Sequence, residues 1–260
     1  MKNKKASRRM IAKKHAKPQV TAGEKKPVSP QKPARERGWR RWASVLVVSA
    51  LVTVAIVALM SFVVNLNEQN FRVYYESVGY KAGGINVLVL MPQKNFTDAS
   101  YFYVVPELED AGFGVEVAAP TTEWVSGERV YVKPQITFDE IDVGRYDALL
   151  IVGGDGVRNE LWHNKTLIQL VNEFNERNKT IAAICSGVML VMQSKALIGK
   201  NATCSIASPR MFTLVGATGL YENVVVSDNV ITGNSDEDSQ EFALAVIEKL
   251  NSRQSTVKSP

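Results

Sequence analysis

Between Trp42 and Val64 lie 23 residues, WASVLVVSALVTVAIVALMSFVV, with no charge, proline or glycine. At 1.5 Å per helical residue such a run spans about 34 Å, enough to cross a hydrocarbon core of roughly 30 Å with some tilt. A buried core helix of this length should carry polar positions, and a secretory signal is shorter and ends in a small-residue cleavage site. The run is therefore expected to be a transmembrane helix, and it divides the chain.

The two sides differ in charge. Residues 1–41 hold 15 Lys/Arg against Glu24 and Glu36, while the remainder holds 16 Lys/Arg against 24 acids. Pro18, Pro27, Pro30 and Pro33 break up the basic segment, which lacks apolar periodicity and is expected to be a disordered tail. Arg35, Arg37, Arg40 and Arg41 crowd the near side of the span, whereas Asn65 to Asn70 contain only Glu68. The positive-inside rule then puts the N-terminus in the cytoplasm and the C-terminal domain outside. The expected partner of residues 42–64 is membrane lipid. The basic tail serves as a topology signal in this reading, and no nucleic-acid partner is expected. Four N-x-[ST] sequons, at Asn95, Asn164, Asn178 and Asn201, all follow the span and are candidate glycosylation sites of an exported domain.

Residues 65–84 are expected to be a juxtamembrane connector, 85–251 a folded domain, and 252–260 a flexible tail. From Ile85 onward strand-like and helix-like segments alternate. INVLVLMP, VEVAAP, YDALLIVGG and KTIAAICSGV are apolar runs of strand length, separated by segments of helical spacing near Ser100–Ala111 and Leu167–Arg177. Trp124 to Pro134 has the pattern of a hairpin turning at Ser126-Gly127, and Gln240 to Leu250 that of a closing helix. Further strands are expected near Asn223–Val226 and Val230–Thr232. Such alternation predicts a mostly parallel sheet covered by helices on both faces, with its functional rim at the carboxyl ends of the strands. Gly154 and Cys185 both end strands and should share that rim. Cys185 stands where a buried strand turns sharply into a helix, the geometry of a nucleophile elbow. The start of the following helix favours an anion there, so Cys185 is the candidate nucleophile or redox thiol.

The succession VLVLMP, EDAGFGVEVAAP, ITFDEIDVGRYDALLIVGGDG, IAAICSGVMLVMQSKALIGKNATC and VITGNSDEDSQEFALAVIEKL resembles the ThiJ/PfpI (DJ-one) family of the class I glutamine amidotransferase-like superfamily. The resemblance implies a flavodoxin-like three-layer sandwich, frequent homodimers, and activities that range from peptidase and glyoxalase or deglycase to redox sensing. It makes Cys185 the elbow cysteine, with the backbone N–H groups of Gly154 and Ser186 as an oxyanion hole. It also exposes what is missing. Ser100 stands where many relatives have a glutamate, leaving Asp98 as a weak candidate acid whose alternative role is to bond local backbone at a helix start. Ser186 and Ser205 stand where relatives have the histidine. Of the two histidines in the chain, His15 lies in the tail and His163 in a loop expected at the surface. A cysteine hydrolase needs a base, and losing one commonly costs about 10²–10⁴ in rate.

The same resemblance brings Cys204 near Cys185, so a Cys185–Cys204 disulfide is one expectation and Cys204 as a small buried hydrophobe is the other. The acidic cluster Asp236-Glu237-Asp238 is expected to complement a helix dipole. No cofactor or metal is expected. Three readings follow, the third of them a mainly structural fold whose functional parts are the basic tail and the membrane helix. In the first, this is a membrane-anchored, degenerate enzyme that acts by binding, its small-molecule or protein ligand unknown. In the second, Cys185 supports a hydrolase, a glyoxalase or deglycase, or a redox response.

Overall fold

The computed structural model describes residues 35–70 and 72–257, and their side chains over 42–61 and 72–253. The chain divides into two compact units, residues 1–66 and 67–260.

The first unit contributes one helix, α1 (Arg35–Asn70), longer at both ends than the apolar run. Trp42–Ser61, with a mean hydropathy of 2.7, is long and apolar enough to cross a membrane, and none of it is buried against protein. The basic residues Arg35, Arg37, Arg40 and Arg41 continue the helix backbone rather than preceding it. Of the disordered tail expected over residues 1–41, residues 35–41 are helical, and residues 1–34 lie outside the described residues.

The second unit is a flavodoxin-like α/β sandwich. Its seven-stranded sheet is formed by β1 (Asn86–Leu90), β2 (Gly114–Ala119), β3 (Ile136–Thr137), β4 (Ala148–Ile151), β5 (Thr180–Ile184), β6 (Val224–Ser227) and β7 (Val230–Gly233), in the spatial order β6-β7-β5-β4-β1-β2-β3. All neighbours run parallel except β6 and β7, which form an antiparallel pair at one edge. Every residue of β1, β2, β4 and β5 is buried, which is why these strands appear in the sequence as continuous apolar runs rather than alternating ones. Helices α2 (Lys165–Glu176), α3 (Val188–Met192) and α4 (Ser239–Val257) cover the sheet. Asn164 starts α2 by accepting from the N–H groups of Thr166 and Leu167.

Three expectations need correction. The helical pattern VMLVMQSKAL after Gly187 predicts a helix over 188–197, but α3, which begins at Val188 after a 3₁₀ turn over Cys185–Gly187, ends at Met192. The segment expected to be a connector contains a strand, Val73–Glu76, which pairs parallel with Val130–Lys133 in a separate three-stranded sheet completed by Val125–Ser126. The expected C-terminal tail is helical through Val257.

Candidate functional site

Strand register builds the site. β4, β5 and β7 are parallel neighbours, with Ile151 opposite Ala183 and Ile184 opposite Gly233. The residues just past these ends, Gly153-Gly154, Cys185-Ser186 and Asp236, therefore gather on one rim. Cys185 adopts φ +52°, a left-handed conformation that costs a non-glycine residue about 1–3 kcal/mol and persists only when its surroundings enforce it. Part of that enforcement is Gly187. A Cβ there would lie 2.6 Å from the carbonyl oxygens of both Ile151 and Val152, so the turn after the cysteine packs directly on the end of β4.

Gly153 makes room for the central pair. A Cβ on it would meet Asp236 Oδ1 at 2.6 Å and Cys185 Cβ at 3.0 Å, so the carboxyl and the cysteine flank one small space. Asp236 was expected to serve the helix dipole. In the structure that work falls to Asp238, whose carboxylate accepts from the N–H and hydroxyl of Ser235 at 2.9 and 2.8 Å in a capping box. Asp236 is thereby free to turn inward, and its buried Oδ1 has no hydrogen-bond partner of normal geometry. Burial pushes its carboxyl pKa up, and the neighbouring Cys185 thiol and Thr97 side chain draw it partly back. The thiol responds in kind. Burial first, and the Asp236 charge second, push Cys185 up to about 12, with only the Ser186 N–H pulling the other way.

The remaining candidates are held by other partners. The Gly154 N–H, expected to face an oxyanion, donates to Ser186 Oγ at 2.8 Å, and that hydroxyl lies 2.8 Å from the Gly154 carbonyl oxygen. The Ser186 carbonyl accepts from Trp162 Nε1 at 2.9 Å. Ser100, where relatives have glutamate, donates its hydroxyl to the Thr97 carbonyl and accepts from the Gly153 N–H, at 2.7 and 3.1 Å. Asp98 does not reach the cysteine. Its carboxylate accepts from the N–H groups of Glu128, Arg129 and Val130, fixing the hairpin turn rather than a helix start. His163 is exposed, with Nδ1 3.2 Å from Gln193 Oε1. Ser205 is exposed as well, its N–H bonded to the Asn234 carbonyl.

Both cysteines are free thiols in this structure. Cys204 is buried and donates to the carbonyl oxygen of Cys185 at 3.1 Å, so it supports the strained residue's backbone. Among the described residues no group of three His, Cys, Asp or Glu side chains is arranged to hold a metal. Asn95, Asn178 and Asn201 are exposed, while Asn164 is half-buried with its amide oxygen engaged at the start of α2.

Asp236 is the residue that sequence reasoning missed. The signal was present: an acid three positions after an apolar strand, in a sheet whose neighbouring strand ends in the cysteine. Only the register of β7 against β5 shows that the two meet.

A flavodoxin-like parallel sandwich that carries a cysteine at a strained strand-to-helix turn defines the class of this domain. The DJ-1/PfpI family profile matches residues 85–249, and the chain belongs to that family. An uncharacterised protein of Methanocaldococcus jannaschii is 32% identical over 205 residues, covering 77% of this chain and 94% of its own. The deglycase PfpI of Pyrococcus furiosus is 24% identical, over 56% of this chain and 87% of its own. A glutathione-independent glyoxalase of Caenorhabditis elegans is 25% identical, over 66% and 91%. Among solved structures, a ThiJ/PfpI domain protein from Brachyspira murdochii is similar, with 33% identity and a TM-score of 0.62 over 65% of this chain and 99% of that one.

Proposed function

We propose that this chain is a membrane-anchored DJ-1/PfpI domain, displayed outside the membrane, that binds a ligand or partner and no longer uses its cysteine as a nucleophile. One observation carries the reading. The group beside the Cys185 thiol is the carboxyl of Asp236, whose negative charge raises the thiol pKa, whereas a neighbouring imidazolium would lower it. A thiol held near 12 is ionised to about one part in 10⁵ at neutral pH, against a few per cent for an ordinary cysteine. The Gly154 N–H already engaged by Ser186 agrees with a site no longer set for a developing oxyanion. The apolar span and the arginines on its N-terminal side support the anchor and its orientation. In that orientation Asn95, Asn178 and Asn201 are accessible acceptors for a glycan.

A second reading is favoured by the strain itself: Cys185 keeps φ +52°, and relatives are named deglycase and glyoxalase. In that case Cys185 remains the nucleophile of an aldehyde-processing enzyme. Methylglyoxal consumption by the purified full chain separates the two. Equal, background-level consumption by the native chain and by Cys185→Ser is expected. Turnover that disappears in Cys185→Ser and survives in Cys204→Ser would establish the enzyme instead.

A further inference from the structure

The small sheet presents an unusual surface. Along Val73–Glu76 burial alternates, with Val73 and Tyr75 turned in and Tyr74 and Glu76 turned out. Tyr74 pairs in parallel register with Tyr131, and their rings stack at 5.0 Å. Trp124 meets Tyr74 edge-on at 5.3 Å. Tyr74 is 58% exposed and Trp124 37% exposed, a large apolar area left in solvent. Two cations cover the ring faces: Arg72 lies 5.4 Å from the Tyr131 centroid and Lys133 lies 5.8 Å from that of Trp124.

We propose that this aromatic and cationic face rests in the phospholipid headgroup zone of the membrane the chain is anchored in. The proposal depends on the anchor reading above. Two observations select lipid as the occupant. Tryptophan and tyrosine, amphipathic rings with a polar tip, concentrate at membrane–water interfaces, and arginine and lysine beside them bind headgroup phosphates. The chain also fixes the range. Only residues 65–71 separate the apolar run ending at Val64 from Arg72, a tether that even fully extended reaches no more than about 25 Å. Arg72 and Tyr74 follow that tether directly in the chain, so the membrane surface lies within reach of this face. Docking there would limit the directions the domain can face and leave the opposite surface for its partner.

Fluorescence quenching in proteoliposomes tests this with the full chain. Trp39→Phe, Trp42→Phe and Trp162→Phe together leave Trp124 as the sole tryptophan. Difference quenching between the native chain and Trp124→Phe gives the same quantity without altering Trp162. Lipids with a nitroxide on the headgroup should lower Trp124 emission by about twofold or more, as for an indole in the interfacial belt, and chain-end nitroxides should do so less. Emission insensitive to both labels would overturn the proposal, including where chemical crosslinking shows a second copy covering the face. Release of the chain by alkaline carbonate is a separate result, which would overturn the anchor on which the proposal rests.

Discussion

Asp236→Asn should speed alkylation of Cys185 by iodoacetamide about tenfold near pH 8, measured in a Cys204→Ser background so that one thiol reports. The charge is the second-largest cause of the raised thiol pKa, and its removal is expected to lower that pKa by about one unit, equivalent to 1.4 kcal/mol. Burial is the larger cause and remains, so the variant thiol should still ionise later than a free cysteine. The substitution should not destabilise the fold near neutral pH. A carboxyl whose pKa is raised by folding contributes stability below its unfolded pKa and loses it as pH rises through the folded value. Ionising this buried carboxyl is therefore unfavourable in the folded state, a penalty that a neutral amide of the same shape does not carry. An unchanged alkylation rate would show that Asp236 does not act on the thiol.

Gly187→Ala should strongly destabilise the turn that carries the cysteine. The new Cβ would stand 2.6 Å from the carbonyl oxygens of Ile151, the last residue of β4, and of Val152 just past it, backbone atoms that no side-chain rotation can move aside. The turn after Cys185 would have to lift off the end of β4, at a cost of about 3 kcal/mol. For a domain of this size that is a drop in Tm of about 10 °C, readable by thermal unfolding of the purified chain. An unaltered Tm would mean that the turn is looser than its packing indicates.

The parts of the fold visible in the sequence share one physical property. NVLVL, ALLI and TIAAI are buried on both faces, so their apolar runs announce central parallel strands without any knowledge of their neighbours. The apolar span announces itself in the same way. Val73–Glu76 does not. Its sequence VYYE alternates weakly, and its partners lie more than 50 residues later at Val130–Lys133, so nothing local marks it as a strand. The site divides along the same line. Cys185, Gly154 and Ser186 are identifiable because a local pattern carries them, and the serines at 186 and 205, where relatives have the histidine, are visible in the sequence too. What they bond to was not legible. Asp98 precedes a helical segment but serves a turn 30 residues away, because a carboxylate binds whichever N–H groups the tertiary fold delivers. Asp236 lies in a cluster with every sign of a helix cap, and only Asp238 caps. Local rules assign the cluster, and strand register decides which acid faces the thiol.

Under the proposed function, burial and the carboxyl beside it hold Cys185 as a neutral thiol. Ultraviolet titration of thiolate absorbance in Cys204→Ser, compared with Cys185→Ser-Cys204→Ser to subtract tyrosine, reads this directly. No Cys185 thiolate is expected through the neutral range, with ionisation climbing only toward about 12. A thiolate forming with a midpoint at or below about pH 7, as at activated catalytic cysteines, would contradict this expectation.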